Sequence, residues 1–355
     1  MSGPKLSIII PVYNAQAYIA GNLSALQQQS FQDYEIICVN DASTDGSLGI
    51  LRQFAQEDPR IRYIDLEQNR GPGYARNQGL EAVRGEYITF LDADDRIEKD
   101  LHAQAMALME ESGADEVVWG VTEEHFNRRG RHIRSIPILP AAAVHTSREQ
   151  IVSAVVRLEE QTLFGYIWNA IYSAKIIGEN HIRFLDFPLY EDYFFNLEYI
   201  RHTRTLAVLA SGGYHYYKRQ NARFTRRFKP HYFELSYSRV ESFYKFCREN
   251  QGLTPENKAV LGRKLLRYTV SAMGRNGGQK GKSRKAWICT ELYPKALYEE
   301  LLATPFHTNC AFSWLRRAIQ KKKTGCLAWM MWAIHRKYFR KYGTVQKDEK
   351  VGVQK

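Results

Sequence analysis

Tyr87-Ile88-Thr89-Phe90-Leu91-Asp92-Ala93-Asp94-Asp95 carries an apolar, strand-favouring run straight into three carboxylates within four positions. β-Branched and aromatic residues suit a pleated, buried surface. A strand that stops in acids delivers negative charge to the carboxyl edge of a sheet, which in open α/β sheets is where ligands bind. Like charges this close repel one another. A divalent cation relieves that cost and is itself a partner for a phosphate-bearing ligand. The competing reading is a solvated turn, in which Asp95 caps the next helix and Glu98 completes a capping-box-like pair. On this stretch alone the cap is assigned to Asp95, and Asp92 and Asp94 stay open between the two readings.

Working outward, Leu6-Ser7-Ile8-Ile9-Ile10-Pro11-Val12-Tyr13 reads as a buried parallel strand. Helical spacing follows over 18–29, a second strand over 34–39, a third over 61–65 and a helix over 73–83. Strand and helix alternate with short connections, so an α/β architecture with a doubly wound sheet is expected, the tips at Tyr13, Asp41 and Asp92 sharing one edge. Residues 98–112, 147–158 and 190–200 have helical spacing and 115–121 is extended. Residues 128–143, rich in Arg, Pro and Gly, are expected to form a mobile loop. Beyond about Arg223 the chain turns into long, mixed apolar and basic helices.

A chain of 355 residues with 44% hydrophobic and 25% charged residues buries a full core and suits a folded soluble protein. Its five cysteines (Cys38, Cys247, Cys289, Cys310 and Cys326) are widely spaced without a C-x-x-C pair. That pattern argues against a disulfide framework and a zinc site, and for a reducing compartment. The ten histidines form no ligand-spaced cluster. The chain opens directly into a strand, so no signal peptide is expected. Of the net charge of +12, nearly all sits in the tail: ten Lys or Arg and no acid lie between Leu301 and Lys347.

Three further stretches combine residues that can do chemistry. Asn40-Asp41-Ala42-Ser43-Thr44-Asp45 follows the second strand. It is either a polar loop capping the next helix or a site where Asp41 accepts a hydrogen bond from the imide N–H of a uracil. Asn69 to Gly79, with four glycines or prolines before and after Arg76, lets a backbone approach closely. Arg76 is open to pairing with Asp92 or Asp94, or with a diphosphate. Tyr190-Glu191-Asp192-Tyr193-Phe194-Phe195 sets two acids before an aromatic run. Asp192 is a candidate general base among apolar groups, and first-turn acids favoured by a helix dipole are the alternative. Trp168 is assigned to the core or to an acceptor wall.

Taken in order, Ser7 to Asn14, the Asn40–Asp45 loop, Asn69 to Gly79, Leu91 to Asp95 and Glu191-Asp192 resemble the family 2 glycosyltransferases of GT-A fold. Within that family the chain looks most like the bacterial members that build cell-surface polysaccharides. The resemblance implies a mixed, mostly parallel sheet in a catalytic domain over 1–222, with a donor half to about 97 and an acceptor half from about 98. A basic helical extension over 223–355 would follow. It implies inverting transfer of a hexosyl or N-acetylhexosaminyl group from a UDP-sugar to a saccharide or polyprenyl-linked acceptor. Pro11, Tyr13, Asn14, Asp41, Asn69, Gly71, Arg76, Asp92 and Ala93 would hold the nucleotide sugar. Asp94 would hold Mn2+ or Mg2+, Asp192 beside Glu191 would take the acceptor proton, and Trp168 would contact the acceptor. Two departures stand out: Ala170 replaces a lysine common after the Trp-Asn pair, and Tyr214 to Arg219 matches only loosely, which leaves a diphosphate role of Lys218 or Arg219 open. A nucleotidyltransferase of sugar phosphates and a silent scaffold of the same fold are the rival readings.

In the tail, the ten-residue apolar run 325–334 is too short to span a bilayer. Leu327, Met331, Ile334, Tyr338 and Tyr342 recur at helical spacing between basic clusters, with Trp314, Trp329 and Trp332 nearby. This predicts a helix lying in an anionic membrane interface. The protein would then be cytoplasmic and held to the inner face of the cell membrane. Packing of the same helix on the protein's own core is the alternative, and nucleic acid is excluded for want of a binding motif.

Overall fold

The computed structural model describes residues 3–127, 129–187, 189–219 and 231–342, with backbone alone over 338–342. The chain divides into two compact units, Met1–Asn221 and Ala222–Lys355.

The first unit runs β1 (Leu6–Val12), α1 (Ile19–Gln27), β2 (Tyr34–Asn40), α2 (Ser47–Glu57), β3 (Ile61–Asp65), α3 (Pro72–Glu81), β4 (Tyr87–Phe90), β5 (Arg96–Ile97) and α4 (Leu101–Ser112). It continues through β6 (Glu116–Phe126), β7 (His132–Ile138), β8 (Ala143–His145), α5 (Arg148–Glu160), β9 (Ala170–Ser173), α6 (Ala174–Glu179), α7 (Glu191–His202) and β10 (Leu206–Arg219). The strands form one mixed sheet ordered β3-β2-β1-β4-β9-β6-β10-β5, with β7 on β6 and β8 on β10. β3, β2, β1 and β4 are mutually parallel. β9 is antiparallel to both β4 and β6, so β6 and its parallel partner β10 point the same way as the first four.

Continuous apolar runs end up where helices cover both faces: Ile8, Ile9, Ile10, Ile36, Ile37 and Val39 are fully buried. Burial of each such side chain contributes about 1.5–3 kcal/mol. Gly79 lets α3 lie directly on β1, since a Cβ there would sit 2.5 Å from Ile9 Cγ2. The tips of β1, β2 and β4 consequently share one edge, which carries Tyr13, Asp41 and Asp92.

Two expectations are corrected. Residues 132–138 form a strand antiparallel to β6, not a mobile loop. Arg128 lies outside the described residues. Asp95 caps no helix: it is buried, β5 follows it at once, and α4 begins only at Leu101.

In the second unit, α8 (Tyr232–Glu249), α9 (Pro255–Asn276), α10 (Gly281–Trp287), a π-turn (Ile288–Leu292), α11 (Leu297–Ala303), α12 (Cys310–Gln320) and α13 (Thr324–Tyr342) follow one another. Thr254 accepts a hydrogen bond from Asn257 N and Pro255 opens the helix, a strong start signal for α9. α8, α11 and α13 pack on α9. Leu327 and Met331, expected to face a membrane, are fully buried in this bundle. The side chains of Tyr338 and Tyr342 lie outside those described. Trp314, Trp329 and Trp332 are exposed by 51%, 58% and 39%. Among the described residues no helix is long and apolar enough to cross a membrane.

Candidate active site

The three acids after β4 meet three different fates. Asn22 on α1 donates from Nδ2 to the carbonyls of Asp92 (3.2 Å) and Asp95 (3.0 Å), which fixes the loop's path. Asp95 then points inward: its Oδ2 accepts from the Tyr214 hydroxyl at 2.9 Å and its Oδ1 from Tyr217 N at 2.9 Å. Burial first, and then Asp92 and Asp94, raise its pKa well above the usual carboxylate range. Asp92 and Asp94 remain open, with side chains 32% and 49% exposed. Burial, followed by the charge of Asp92, raises the pKa of Asp94, while Arg219 opposes them. Arg219 Nη1 donates to Asp94 Oδ2 at 2.7 Å, and its guanidinium also lies over Tyr18 and Tyr217.

α7 brings the second pair of acids. Tyr190 precedes it with φ of +71°, an unusual backbone state for an aromatic residue, and sets Glu191 and Asp192 in the first turn. The segment before it is tied to α3 by Asn77, which exchanges hydrogen bonds with the backbone of Phe184 at 2.8 and 2.9 Å. Between the two acid groups lies Arg76, 4% exposed. Its Nη2 donates to Asp92 Oδ1 at 2.9 Å and its Nη1 to Asp192 Oδ1 at 3.0 Å. Burial disfavours this guanidinium's charge, yet Asp192 and Asp92 outweigh it and the pKa rises. Asp192 is pushed up to about 7: burial dominates, Arg76 pulls down, and Glu191 and Asp92 push further up. A carboxylate titrating there matches the demand on a general base at neutral pH.

Residues 7–179 match the model of Glycosyl transferase family 2. EpsH of Bacillus subtilis, which carries a glycosyltransferase assignment, is 31% identical over 266 residues, or 73% of this chain and 74% of EpsH. The chain belongs to glycosyltransferase family 2. The poly(ribitol-phosphate) beta-glucosyltransferase of Bacillus spizizenii is 29% identical over 68% of this chain and 35% of its own length. The crystal structure of S. aureus TarS 1-349 in complex with UDP-GlcNAc superimposes with a TM-score of 0.67 at 21% identity, covering 95% of this chain and 92% of that one. That likeness is one of fold, and it makes the first unit a GT-A sheet.

In this glycosyltransferase the residues expected to hold a nucleotide fall into two groups. Tyr13 is exposed by 45% and Pro11 partly exposed at the tip of β1, whereas Ala93 is buried. Asn14, at φ +50°, stitches the first two loops together, its Oδ1 accepting from Thr44 N at 2.7 Å. Asp41 is buried, and its two carboxyl oxygens accept from Arg70 N and Gly71 N at 2.8 Å each. Asn69 completes the clasp by donating to the Asp41 carbonyl at 3.2 Å. Gly71 has φ of +88°, a region open to glycine at little cost, and Pro72 then opens α3. Asp41 therefore shapes the loop before it can touch a base.

Trp168 is 3% exposed and stacks between Tyr166 (4.4 Å) and Tyr214 (4.2 Å), so an acceptor would meet Tyr166 before it met the indole. Lys218 is held by Glu123. Three residues that the motifs did not assign now belong to the site: Asn22, Tyr214 and Arg219. Tyr214 and Arg219 left a trace in sequence, as the two ends of the loosely matching segment, whereas Asn22 left none.

Among the described residues no three His, Cys, Asp or Glu side chains are grouped to hold an ion by themselves. One half-exposed carboxylate, crowded by a neighbour and prone to take up a proton, suits a Mg2+- or Mn2+-type ion completed by diphosphate and water oxygens.

Proposed function

We propose that this enzyme transfers a sugar from a UDP-sugar to a hydroxyl of a saccharide or lipid-linked saccharide at the inner face of the bacterial cell membrane, with inversion. The observation that carries the reading is the Arg76 bridge, which ties a carboxylate titrating near 7 to the acid loop at the sheet's ligand edge. Asp192 takes the acceptor proton. The freed oxygen attacks the anomeric carbon, the bond to the diphosphate breaks, and the proton stays on Asp192 until solvent removes it. Glu191 keeps that proton affinity high. Asp92 lies on the ribose side and shares Arg76 with the base. Asn69, Gly71 and Asp41 form the wall of the base pocket, with Tyr13 beside them. Asp41 offers uracil a remaining lone pair. Asp94 would hold the Mn2+ or Mg2+, which supplies positive charge to the departing diphosphate. Arg219 stands at the same carboxylate and can add to that charge. A UDP donor is supported by analogy of fold with TarS, solved with UDP-GlcNAc, and a wall-polymer acceptor by the likeness to the Bacillus spizizenii poly(ribitol-phosphate) beta-glucosyltransferase.

The test is a panel of UDP-sugars with the full chain, with Mn2+ or with chelator, reading free UDP. Ion-dependent UDP release from at least one donor is expected, with Asp94→Ala losing the dependence. Release of pyrophosphate instead would make the protein a nucleotidyltransferase, and silence across UDP-, GDP- and dTDP-sugars would leave a binding protein.

Peripheral attachment to an anionic membrane remains part of the proposal on narrower grounds than the tail's periodicity suggested. Its support is the exposed Trp314, Trp329 and Trp332 together with the basic residues of α12 and α13. Trp329→Ala with Trp332→Ala should weaken sedimentation with anionic vesicles about tenfold. Wild-type protein left in the supernatant at both low and high salt would rule attachment out.

A further inference from the structure

At the edge of the sheet opposite the carboxylates, a cavity of about 660 Å3 opens at the starts of β6 and β10, beside the end of β9 and the ends of α6 and α7. Its walls carry Arg148, Lys175, Arg201 and Arg204 against Asp115 and Glu179. The acids are already engaged. Asp115 Oδ2 accepts from Arg204 N at 2.7 Å and Thr205 N at 3.0 Å, and Glu179 sits 3.9 Å from Lys175, both well exposed. Arg148 is fixed in the wall, its Nη1 donating to the carbonyls of Ile200 (2.7 Å) and Thr203 (3.3 Å). Arg201, whose carboxylate Glu198 at 3.6 Å lies on the helix outside the cavity lining, faces it. Burial first, and then the charge of Arg201, lower the Arg148 pKa, so the two guanidiniums repel.

We infer that this cavity binds a phosphate-class oxyanion, either free phosphate or the phosphodiester of a larger acceptor. Guanidiniums give planar, forked donors that match phosphate oxygens, and an anion in this cavity offsets the repulsion between Arg148 and Arg201 while the exposed Lys175 and Arg204 add to its attraction. Four cationic side chains against two acids leave the cleft net positive, which favours an anion. The volume lies in the range of small-molecule sites and leaves room for ester atoms flanking the phosphorus. A favourable helix dipole explains Arg201 at the end of α7, but not Arg148, Lys175 and Arg204, which come from three other segments. The cavity is not part of the donor site: it lies at the amino ends of β6 and β10, which run in the same direction as β4 with β9 between them, and Asp92 and Asp94 follow the carboxyl end of β4.

Calorimetric titration of the full chain with inorganic phosphate and with glycerophosphoglycerol is the test. The comparison is between wild type, a Lys175→Gln/Arg204→Gln double variant, and Arg219→Gln at the catalytic edge. Lys175 and Arg204 are exposed, so the double variant should keep its melting temperature and its UDP release. Saturable binding, weakened about tenfold or more in the double variant and unchanged in Arg219→Gln, is expected. Preference for the diester would assign the site to a polymeric acceptor, and preference for phosphate to the free anion; both uphold the oxyanion site. No binding, equal affinity in the double variant, or loss only in Arg219→Gln would overturn it.

Discussion

The two edges of the sheet each hold a carboxyl group with raised proton affinity, one partly open and one buried. At the front, Asp192 is pushed up to about 7 by burial while Arg76, 3.0 Å away, pulls it down, and its side chain is 22% exposed. At the back, Glu116 opens β6 with 3% exposure, is pushed up to about 8 by burial and then by Asp115, and leaves Oε2 without a partner among the described residues. Burial alone raises a carboxyl pKa. A neighbouring guanidinium and an opening to solvent make such a group available to a substrate. Glu116 has neither and is a neutral acid of the core.

The largest effect expected from this contrast is on turnover. Asp192→Asn should lower transfer by roughly 10²–10⁴-fold, the range for loss of a general base, with UDP affinity retained. Since the reaction needs the carboxylate, the wild-type rate should climb with pH to a plateau above about 7, and the variant should lose that limb. Near-normal turnover would move the role to Glu191 or out of this pair.

Glu116→Gln should leave turnover alone and change stability against pH. The folded pKa of about 8 lies above the unfolded value, so the native state binds the proton more tightly. Wild-type stability from this group is full below the unfolded Glu pKa and is lost as pH rises towards and through 8. Denaturant unfolding should find the variant more stable by about 1–3 kcal/mol at pH 9 and indistinguishable near pH 4. An equal difference at both pH values would mean that Glu116 is not protonated in the fold.

A smaller shift should follow at Arg76. Arg76→Ala removes the cation that lowers the Asp192 pKa, so the rising limb should move to higher pH. The rate at pH 7 should fall about fivefold for a rise of one pKa unit, and about tenfold well below pH 7. Arg76→Lys keeps a charge without the two-pronged reach and should move the limb less. A pH–rate profile unmoved in Arg76→Ala would show the bridge to be structural only.

The first four strands, the extended run from 115, the acids after β4 and the helical second unit were legible in sequence, because each depends on residues a few positions apart. By contrast β9 and β10 (Ala170–Ser173 and Leu206–Arg219), which complete the sheet, were not read as strands. Helix and strand periods repeat locally, and Asp92-Ala93-Asp94 needs only its own strand to reach the edge. The strand over 132–138 was not legible: its side chains are mostly exposed, so pairing with β6 leaves no apolar alternation. The apolar face of α13 was visible, but not its destination, since core and lipid both reward the same spacing. Packing on α9 decided it.

Sequence by itself determined the family, the fold class and the presence of acids after β4 and in the first turn of α7. Tertiary structure alone decided what each acid touches. Arg76 meets Asp192 across 116 residues, Arg219 meets Asp94 across 125, and Tyr217 turns Asp95 inward across 122. Those pairings follow from which strands lie side by side. Once charge is held at low exposure, the nearest counter-charge, and not the local motif, sets whether a carboxyl group works as a base, a cation ligand or a strut.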